Sequence, residues 1–265
     1  MRYSYIVIDP LVRFDSADEI RRMFSFLKEC GYDGVELNLT EPLGVELEQL
    51  KRWVDELDLA VPSFLTGEAY NDGLCLSSPD ASIRRRTVER LISCLNTAYE
   101  FDAILVVGLL QGLRSDEPDP AVAQERIVDG LKAVSAAAED KGVEFVIEPV
   151  NHLQVGFNNS VEEVRGLVQA VGSRAMRPMV DTIHMNIEES SLVQPILDCG
   201  AALRHVHLCE SNGSVFGTGN VDFVEVLQAL TKIGYDHFAS VKIYRGATLE
   251  EAARSSIQYL SRASV

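Results

Sequence analysis

The amino-acid sequence predicts a single α/β domain over residues 1–265, a (β/α)8 barrel of the TIM-barrel class. Eight short runs rich in aliphatic and β-branched residues alternate with eight amphipathic segments. Strands separated by helices need crossover connections, which favours a parallel sheet covered by helices. Eight such units in 265 residues, of which 46% are apolar, fit one barrel.

The strands and helices are expected in strict alternation. The strands are predicted at residues 3–8, 33–39, 60–65, 103–109, 144–150, 177–182, 205–209 and 239–244. The helices are predicted at residues 16–30, 45–57, 83–100, 120–140, 161–171, 192–199, 223–233 and 249–260. Gly31, Gly142 and Gly234 are predicted to end helices. The alternative is an open doubly wound sheet, but no GxGxxG motif follows the first strand.

Composition and charge exclude several classes of function. The net charge of −16 disfavours nucleic acid and anionic membrane surfaces as partners, since both are polyanions. The sequence contains no run of eighteen apolar residues, so no membrane span is expected. The first residues predict a strand rather than a signal peptide. Five scattered cysteines without a CxxC pair favour a reducing compartment, so a cytoplasmic location is expected.

Ionisable residues lie at the ends of the last four predicted strands, where a barrel carries its active site. Glu148 lies near the end of the fifth strand and Asp181 near the end of the sixth. His207 lies in the seventh strand and Lys242 in the eighth. The sixth strand is expected to give way to a loop at Asp181, with His184 three residues later. Charged side chains are rarely buried unless they are paired or bound to a metal, so these residues indicate a site.

Glu148, Asp181 and His207 offer two carboxylates and one imidazole, which suit Mn²⁺, Mg²⁺ or Co²⁺. We predict that these three side chains converge on one divalent ion, with Mn²⁺ as the first expectation. The residue types are also compatible with a buried network of carboxylates and histidines that holds no metal. His205 is expected to support or pack against the site rather than to act as a ligand.

Several short motifs of the chain are characteristic of a known family. The motif Asp-Thr-Ile-His-Met-Asn-Ile-Glu-Glu at residues 181–189 is highly specific. The other motifs are Leu-Ser-Ser-Pro-Asp at 76–80, Glu-Pro-Val-Asn at 148–151, His-Val-His at 205–207, and Glu-Ser-Asn at 210–212 leading into Gly-Thr-Gly at 217–219. Together these motifs resemble those of the xylose-isomerase-like TIM-barrel sugar isomerases and epimerases, most closely the ketose 3-epimerase branch. The resemblance extends from the second strand to the last.

The resemblance implies which residues form the site. The metal ligands would be Glu148, Asp181 and His207, together with a glutamate on the eighth strand. Glu148 would also act as a base that transfers protons. The residues expected to contact a sugar substrate are His184, Asn151 and Glu210.

Three residues depart from the family pattern. Lys242 stands where the family has its eighth-strand glutamate, which is both the fourth ligand and a second catalytic base. Gly213 replaces an arginine that clamps substrate, and Gln154 replaces a carboxylate. Lys242 could replace the metal, accompany a three-ligand metal, or lose its proton and act as a base. The changes at Gly213 and Gln154 favour a catalytic role for Lys242.

The resemblance implies a metal-dependent sugar isomerase or epimerase that acts on a ketose or keto-sugar through an enediolate. Epimerisation needs proton removal on one face and delivery on the other, whereas isomerisation can use one base. Loss of the eighth-strand glutamate favours one-base isomerisation or elimination, and a Lys242–Glu148 acid–base pair keeps epimerisation open. The alternatives are a keto-glycoside lyase of the C-deglycosidase type with a small β-rich partner subunit, and a sugar-binding paralogue without activity. We expect a homo-oligomer.

Overall fold

The structure, a computed structural model, describes residues 1–263 and confirms the predicted barrel. Eight parallel strands close on themselves in sequence order. The strands, β1 to β8 in chain order, are Arg2–Val7, Gly34–Asn38, Ser63–Leu65, Ile104–Val107, Phe145–Ile147, Met176–Asp181, His205–Leu208 and Phe238–Val241. Tyr5 of β1 is paired with Val35 of β2 on one side and with Val241 of β8 on the other, which completes the barrel.

The helices surround the strands in the order that the sequence predicts, with two short additions. The helices, α1 to α10 in chain order, are Ala17–Cys30, Leu47–Glu56, Glu68–Asn71, Ala81–Glu100, Pro120–Lys141, Val161–Val171, Thr182–Glu188, Gln194–Cys199, Phe223–Lys232 and Leu249–Ala263. The additions are α3 and α7, which follow β3 and β6 at the carboxyl ends of the strands. No helix of the described part of the chain is long and apolar enough to cross a membrane.

Local sequence signals explain where the helices begin and end. Asp119 caps α5, since its carboxylate accepts hydrogen bonds from the N–H groups of Ala121 and Val122. Gly142 ends that helix in the left-handed conformation, with φ of 73°, as the sequence predicts. Side chains at helical spacing on α5 are fully buried against the barrel, and they are Ile127, Leu131, Val134 and Ala138.

The interior of the barrel has an apolar side and a polar side. A small cluster of Ile104, Val106, Val146 and Met179 from β4, β5 and β6 is separate from the main core between strands and helices. The polar side chains are fully buried and come from β1, β2, β3, β7 and β8; they are Ser4, Glu36, Ser63, His205, His207 and Ser240. Burial of polar groups is costly unless they are paired, so this side of the barrel must carry a hydrogen-bond network.

Candidate active site

Five ionisable side chains meet at the carboxyl ends of β5 to β8. Glu148 directly follows β5, Asp181 is the last residue of β6, and His184 lies in α7. His207 lies in β7, and Lys242 directly follows β8. All five are among the residues that the sequence predicts for the site, and the barrel brings them within hydrogen-bond or ion-pair distance of one another.

The ammonium of Lys242 lies between the two carboxylates. Its Nζ atom is 2.7 Å from Oδ2 of Asp181 and 3.5 Å from Oε1 of Glu148. Burial alone would lower the pKa of Lys242, but the charges of Asp181 and Glu148 outweigh burial and raise that pKa. Lys242 is therefore cationic in this arrangement and neutralises part of the carboxylate charge.

Both carboxylates are ionised. Burial raises the pKa of Glu148 and of Asp181, because it disfavours the charged form. The Lys242 charge and the contacts with the neighbouring histidines outweigh burial, so both pKa values lie below their usual range. The site therefore holds two anionic oxygen donors at the end of the barrel.

His207 connects the carboxylates to a glutamate deeper in the barrel. Its Nδ1 atom is 3.2 Å from Oε1 of Glu148 and 3.5 Å from Oδ2 of Asp181. Its Nε2 atom is 2.9 Å from Oε1 of Glu36, which the sequence analysis did not identify. Burial opposes charge on His207, but Glu36, Asp181 and Glu148 together raise its pKa well above the ordinary value.

Glu36 is the centre of the polar network below the site. Its second carboxylate oxygen is 3.2 Å from Nε2 of His205, and that nitrogen also lies near the hydroxyls of Ser63 and Ser240. Burial raises the pKa of Glu36, but His207 and His205 lower it well below its usual range. His205 thus contacts Glu36 and packs edge-on against the ring of His207, below the two carboxylates of the site.

Asn151 determines which ring nitrogen of His184 carries the proton. The Oδ1 atom of Asn151 accepts a hydrogen bond from the N–H of Leu153, which directs its amide nitrogen towards His184. That amide donates to Nδ1 of His184 at 2.7 Å. Burial lowers the pKa of His184 despite the Asp181 charge, so its imidazole is neutral with the proton on Nε2. This Nε2–H faces Glu148 and Asp181 at 3.7 and 3.8 Å.

The residues after Asp181 form a helix, which corrects the expected loop. α7 begins directly at Thr182, and Oδ1 of Asp181 accepts a hydrogen bond from the N–H of Ile183 at 3.0 Å. The Thr182 hydroxyl both donates to and accepts from the backbone of Cys209, which follows β7. One oxygen of Asp181 therefore caps the helix, while the other faces Lys242 and His207.

Glu210 is buried among the backbone of the loop after β7. Its carboxylate accepts hydrogen bonds from the N–H groups of Ser211, Gly217 and Val221. These contacts support a role in holding the loop, and the predicted contact of Glu210 with substrate stays a prediction. Neither Glu210 nor Asn151 lines the cavity beside the ionisable side chains that is described next.

Four of the five ionisable side chains line a cavity of about 240 Å³, here called the substrate pocket. Glu148, His184, His207 and Lys242 line one part of it, together with the predicted neighbour Gln154. Polar residues that the sequence analysis missed line the rest, and they are Asn38, Thr66, Glu68 and Asn71. The pocket therefore combines charged groups with amide, hydroxyl and carboxylate groups that can bind a small polar molecule.

Comparisons with known proteins agree with the barrel fold. A family model described as xylose isomerase-like TIM barrel matches residues 24–263. A ketose 3-epimerase of Arthrobacter globiformis is 30% identical over 223 residues, which are 83% of this chain and 76% of that protein. A 3-dehydro-D-guloside 4-epimerase of Escherichia coli (strain K12) is 24% identical over 255 residues, 92% of this chain and 94% of that protein.

A solved structure of an L-ribulose 3-epimerase has the same fold. It superposes with a TM-score of 0.88 at 23% identity and covers 99% of this chain and 94% of the other. The family model spans most of the sequence, and the family resemblance of the motifs is thereby confirmed. The chain belongs to the xylose isomerase-like TIM barrel family.

Proposed function

We propose that this protein is a metal-dependent sugar epimerase that acts on a ketose or keto-sugar. The observation that carries the proposal is the contact between Glu148, Asp181 and Lys242 at the end of the barrel, next to His184 and His207. This contact places two groups that can transfer protons, the Glu148 carboxylate and the Lys242 ammonium, in one pocket. The relatives named above are epimerases, which supports the same class of reaction.

We propose Glu148, Asp181 and His207 as the residues that hold a divalent ion. Their donor atoms lie close enough to share one ion, with 3.2 and 3.5 Å from Nδ1 of His207 to the two carboxylates. The carboxylate of Glu36 accepts a hydrogen bond from the Nε2–H of His207, so Nδ1 is the nitrogen that can bind a metal. The carboxylates of Glu148 and Asp181 also lie near Nε2 of His184, but that nitrogen carries a proton and is a donor.

The charges of the buried groups also fit a dication. Glu36, Glu148 and Asp181 contribute three negative charges, and Lys242 contributes one positive charge. A neutral His207 and a divalent ion would bring the total to zero. Oxygen and imidazole donors suit Mn²⁺, Mg²⁺ or Co²⁺, and we propose Mn²⁺ first.

The chain's own residues would move the protons. A bound divalent ion supplies positive charge that stabilises negative charge on adjacent substrate oxygens. Glu148 is ionised and would remove the proton next to the ketone, while the Nε2–H of His184 would hold a substrate oxygen. Lys242 is cationic and would deliver a proton on the other face. The 3.5 Å contact between Lys242 and Glu148 offers a route for returning the proton afterwards.

The epimerase relatives, together with a second group able to transfer protons, support epimerisation over the one-base reactions. Lys242, which lies 3.5 Å from Glu148, would be the second proton-transfer group in place of the family's eighth-strand glutamate. Two groups are what inversion at one carbon requires. The homo-oligomeric state, the partner subunit and the cytoplasmic location stay predictions.

Proton exchange in D₂O tests the proposed function. Purified protein with measured metal content would be incubated with a panel of ketoses and keto-glycosides, and ¹H NMR would follow exchange and epimer formation. We expect exchange at one carbon next to the ketone, loss of that exchange with a chelator, and recovery with Mn²⁺. Exchange that is undiminished in fully metal-free protein would contradict the role of the metal.

Glu36→Gln is expected to weaken metal binding by about 10- to 100-fold, the usual effect of losing the carboxylate that orients a ligating histidine. Glutamine keeps the shape of Glu36 but removes the charge that lies 2.9 Å from Nε2 of His207. Competition with a fluorescent chelator would measure the Mn²⁺ dissociation constant, and thermal unfolding of the metal-free protein would report any general loss of stability. An unchanged dissociation constant would remove Glu36 from this role.

Asn151→Ala is expected to lower kcat/KM by roughly tenfold, equivalent to about 1.4 kcal/mol, because His184 loses the hydrogen bond that fixes its proton on Nε2. Metal affinity should change little, since His184 is not a proposed ligand. Steady-state kinetics and the chelator competition would be compared with Asn96→Ala, an exposed asparagine of α4. A large loss of metal affinity would instead indicate that His184 binds the ion.

A further inference from the structure

Three polar side chains line the substrate pocket on the half of the barrel opposite the ionisable site. They are Asn38 at the end of β2, Thr66 directly after β3, and Glu68 in α3, and they are here called the acceptor wall. The ionisable side chains come from β5 to β8, whereas the acceptor wall follows β2 and β3, across the closed barrel. A substrate whose reacting carbon lies beside Glu148 and Lys242 therefore meets the acceptor wall with its far end.

The hydrogen-bond donors of Asn38 and Thr66 are already used within the protein. Nδ2 of Asn38 donates to the backbone carbonyls of Val7 and Ile8 at 3.3 and 2.8 Å. The Thr66 hydroxyl donates to the carbonyl of Val106 at 2.8 Å. These two side chains therefore offer a ligand only the amide oxygen of Asn38 and the lone pairs of the Thr66 hydroxyl, which are acceptors.

Glu68 adds a carboxylate with one oxygen engaged by the protein. Its Oε2 atom accepts a hydrogen bond from Nδ2 of Asn71 at 3.1 Å and lies 3.6 Å from Nη2 of Arg13. Both contacts use Oε2, so Oε1 is the oxygen that can face a ligand. A charged acceptor forms stronger hydrogen bonds than a neutral one, which makes Glu68 the dominant group of the acceptor wall.

An acceptor wall suits hydroxyl groups and opposes anions. Within residues 1–263, Lys242 is the only lysine or arginine that lines the substrate pocket, and its ammonium is bound to Asp181 and Glu148. A phosphate or carboxylate at the far end of a substrate would meet acceptor oxygens without a donor, which is costly. A hydroxyl group instead donates its hydrogen to such an oxygen.

We propose that Glu68 is a specificity-determining residue, and that its Oε1 atom accepts a hydrogen bond from the substrate hydroxyl farthest from the ketone, at C6 of a ketohexose. Asn38 and Thr66 accept hydrogen bonds from the neighbouring hydroxyls. This inference rests on the proposed epimerase function and names the hydroxyl that the pocket recognises. Glu68 lies apart from the metal ligands and the proton-transfer groups, so its loss should change which sugar is preferred.

The experiment combines the loss of Glu68 with the loss of one substrate hydroxyl. Isothermal titration would measure binding of D-fructose, D-tagatose, D-psicose and L-sorbose, each beside its 6-deoxy counterpart, to the Mn²⁺-loaded protein. ¹H NMR in D₂O would measure exchange for each sugar. We expect at least one ketohexose to bind about tenfold tighter than its 6-deoxy counterpart, the usual size of a hydrogen bond to a charged group.

Glu68→Ala should bring that ratio of affinities close to one. The loss should come from weaker binding of the ketohexose, while binding of the 6-deoxy sugar should change less than about threefold. Glu68→Gln should keep part of the ratio, because an amide oxygen still accepts a hydrogen bond. Glu56→Ala is the matched control, since Glu56 at the end of α2 also contacts an arginine, Arg21 at 2.7 Å, but does not line the pocket.

The binding ratio tests the inference separately from turnover. Equal affinities within every pair, no measurable binding of any of these sugars, or a ratio that survives Glu68→Ala would overturn the inference. A ratio that depends on Glu68 without proton exchange on any sugar would keep the role of Glu68 and refute the epimerase function. Exchange that occurs with a ratio unaffected by Glu68→Ala would keep the epimerase function and refute the role of Glu68.

Discussion

Glu148→Gln is expected to slow solvent-proton exchange at the substrate carbon by on the order of 10²- to 10⁴-fold, the usual contribution of a general base. Glutamine keeps the shape of the side chain but cannot accept the proton. Sugar binding should remain measurable, because His184 and the other polar groups of the substrate pocket are unchanged. Exchange would be followed by ¹H NMR in D₂O, and binding by isothermal titration.

One control separates loss of the base from loss of the metal, and a second tests the effect of a glutamate-to-glutamine change elsewhere on the same strand. Glu148 is also a proposed ligand, so the metal content of the variant must be measured and restored with excess Mn²⁺ before exchange is compared. Glu144→Gln changes a partly exposed glutamate at the other end of the same strand, where its partner is Arg204, and should leave turnover unchanged. Undiminished exchange in Glu148→Gln would remove this residue from the base role.

The barrel was predictable because each strand and helix carries its own local signal. The apolar face of α5 and the glycine at position 142 specify that helix without reference to the rest of the chain. Six of the eight strands are shorter than predicted; β3, for example, covers only Ser63–Leu65, and β5 ends at Ile147. The polar residues at the predicted strand ends, such as Glu148, lie just beyond the hydrogen-bonded sheet, where side chains are free to form a site.

Glu36 was missed because only ionisable residues at the ends of predicted strands were considered, and Glu36 lies in the middle of a strand. It lies in Gly34–Asn38 between the apolar residues Val35 and Leu37, and its side chain points into the barrel beside His205 and His207. The available signal was a carboxylate inside a buried apolar run, which requires a partner. The sequence does not identify that partner, since β2 and β7 become neighbours only through the interior of the closed barrel.

The loops of the site were predicted less well than its strands. α7 replaced the expected loop because Asp181 can serve as a helix cap and as a site carboxylate at once, one oxygen for each. The short α3 brings Glu68 and Asn71 to the substrate pocket from a segment with no clear periodicity.

Lys242→Glu is expected to tighten Mn²⁺ binding and to lower native turnover by about 10²-fold or more. The new carboxylate would add a fourth anionic oxygen beside Glu148 and Asp181, and it would remove the ammonium that now touches both. Chelator competition would measure the dissociation constant, and exchange in D₂O would measure turnover on the native substrate class. Full native turnover in this variant would refute a catalytic role for Lys242.

Lys242→Met distinguishes a proton donor from a group that only neutralises charge. Methionine removes the ammonium without adding a ligand. In the metal-free variant the two buried carboxylates therefore lose their cationic partner, which lies 2.7 Å from Asp181 in the native protein. Breaking a buried ion pair in this way typically costs about 3–5 kcal/mol of stability, whereas Lys232→Met on the exposed surface of α9 should change it by less than about 0.5 kcal/mol. Saturating Mn²⁺ should restore most of that stability, because ligand binding favours the folded state. If turnover returns together with stability, Lys242 only balances charge; if stability returns and turnover stays low, Lys242 delivers the proton, which is the outcome we expect.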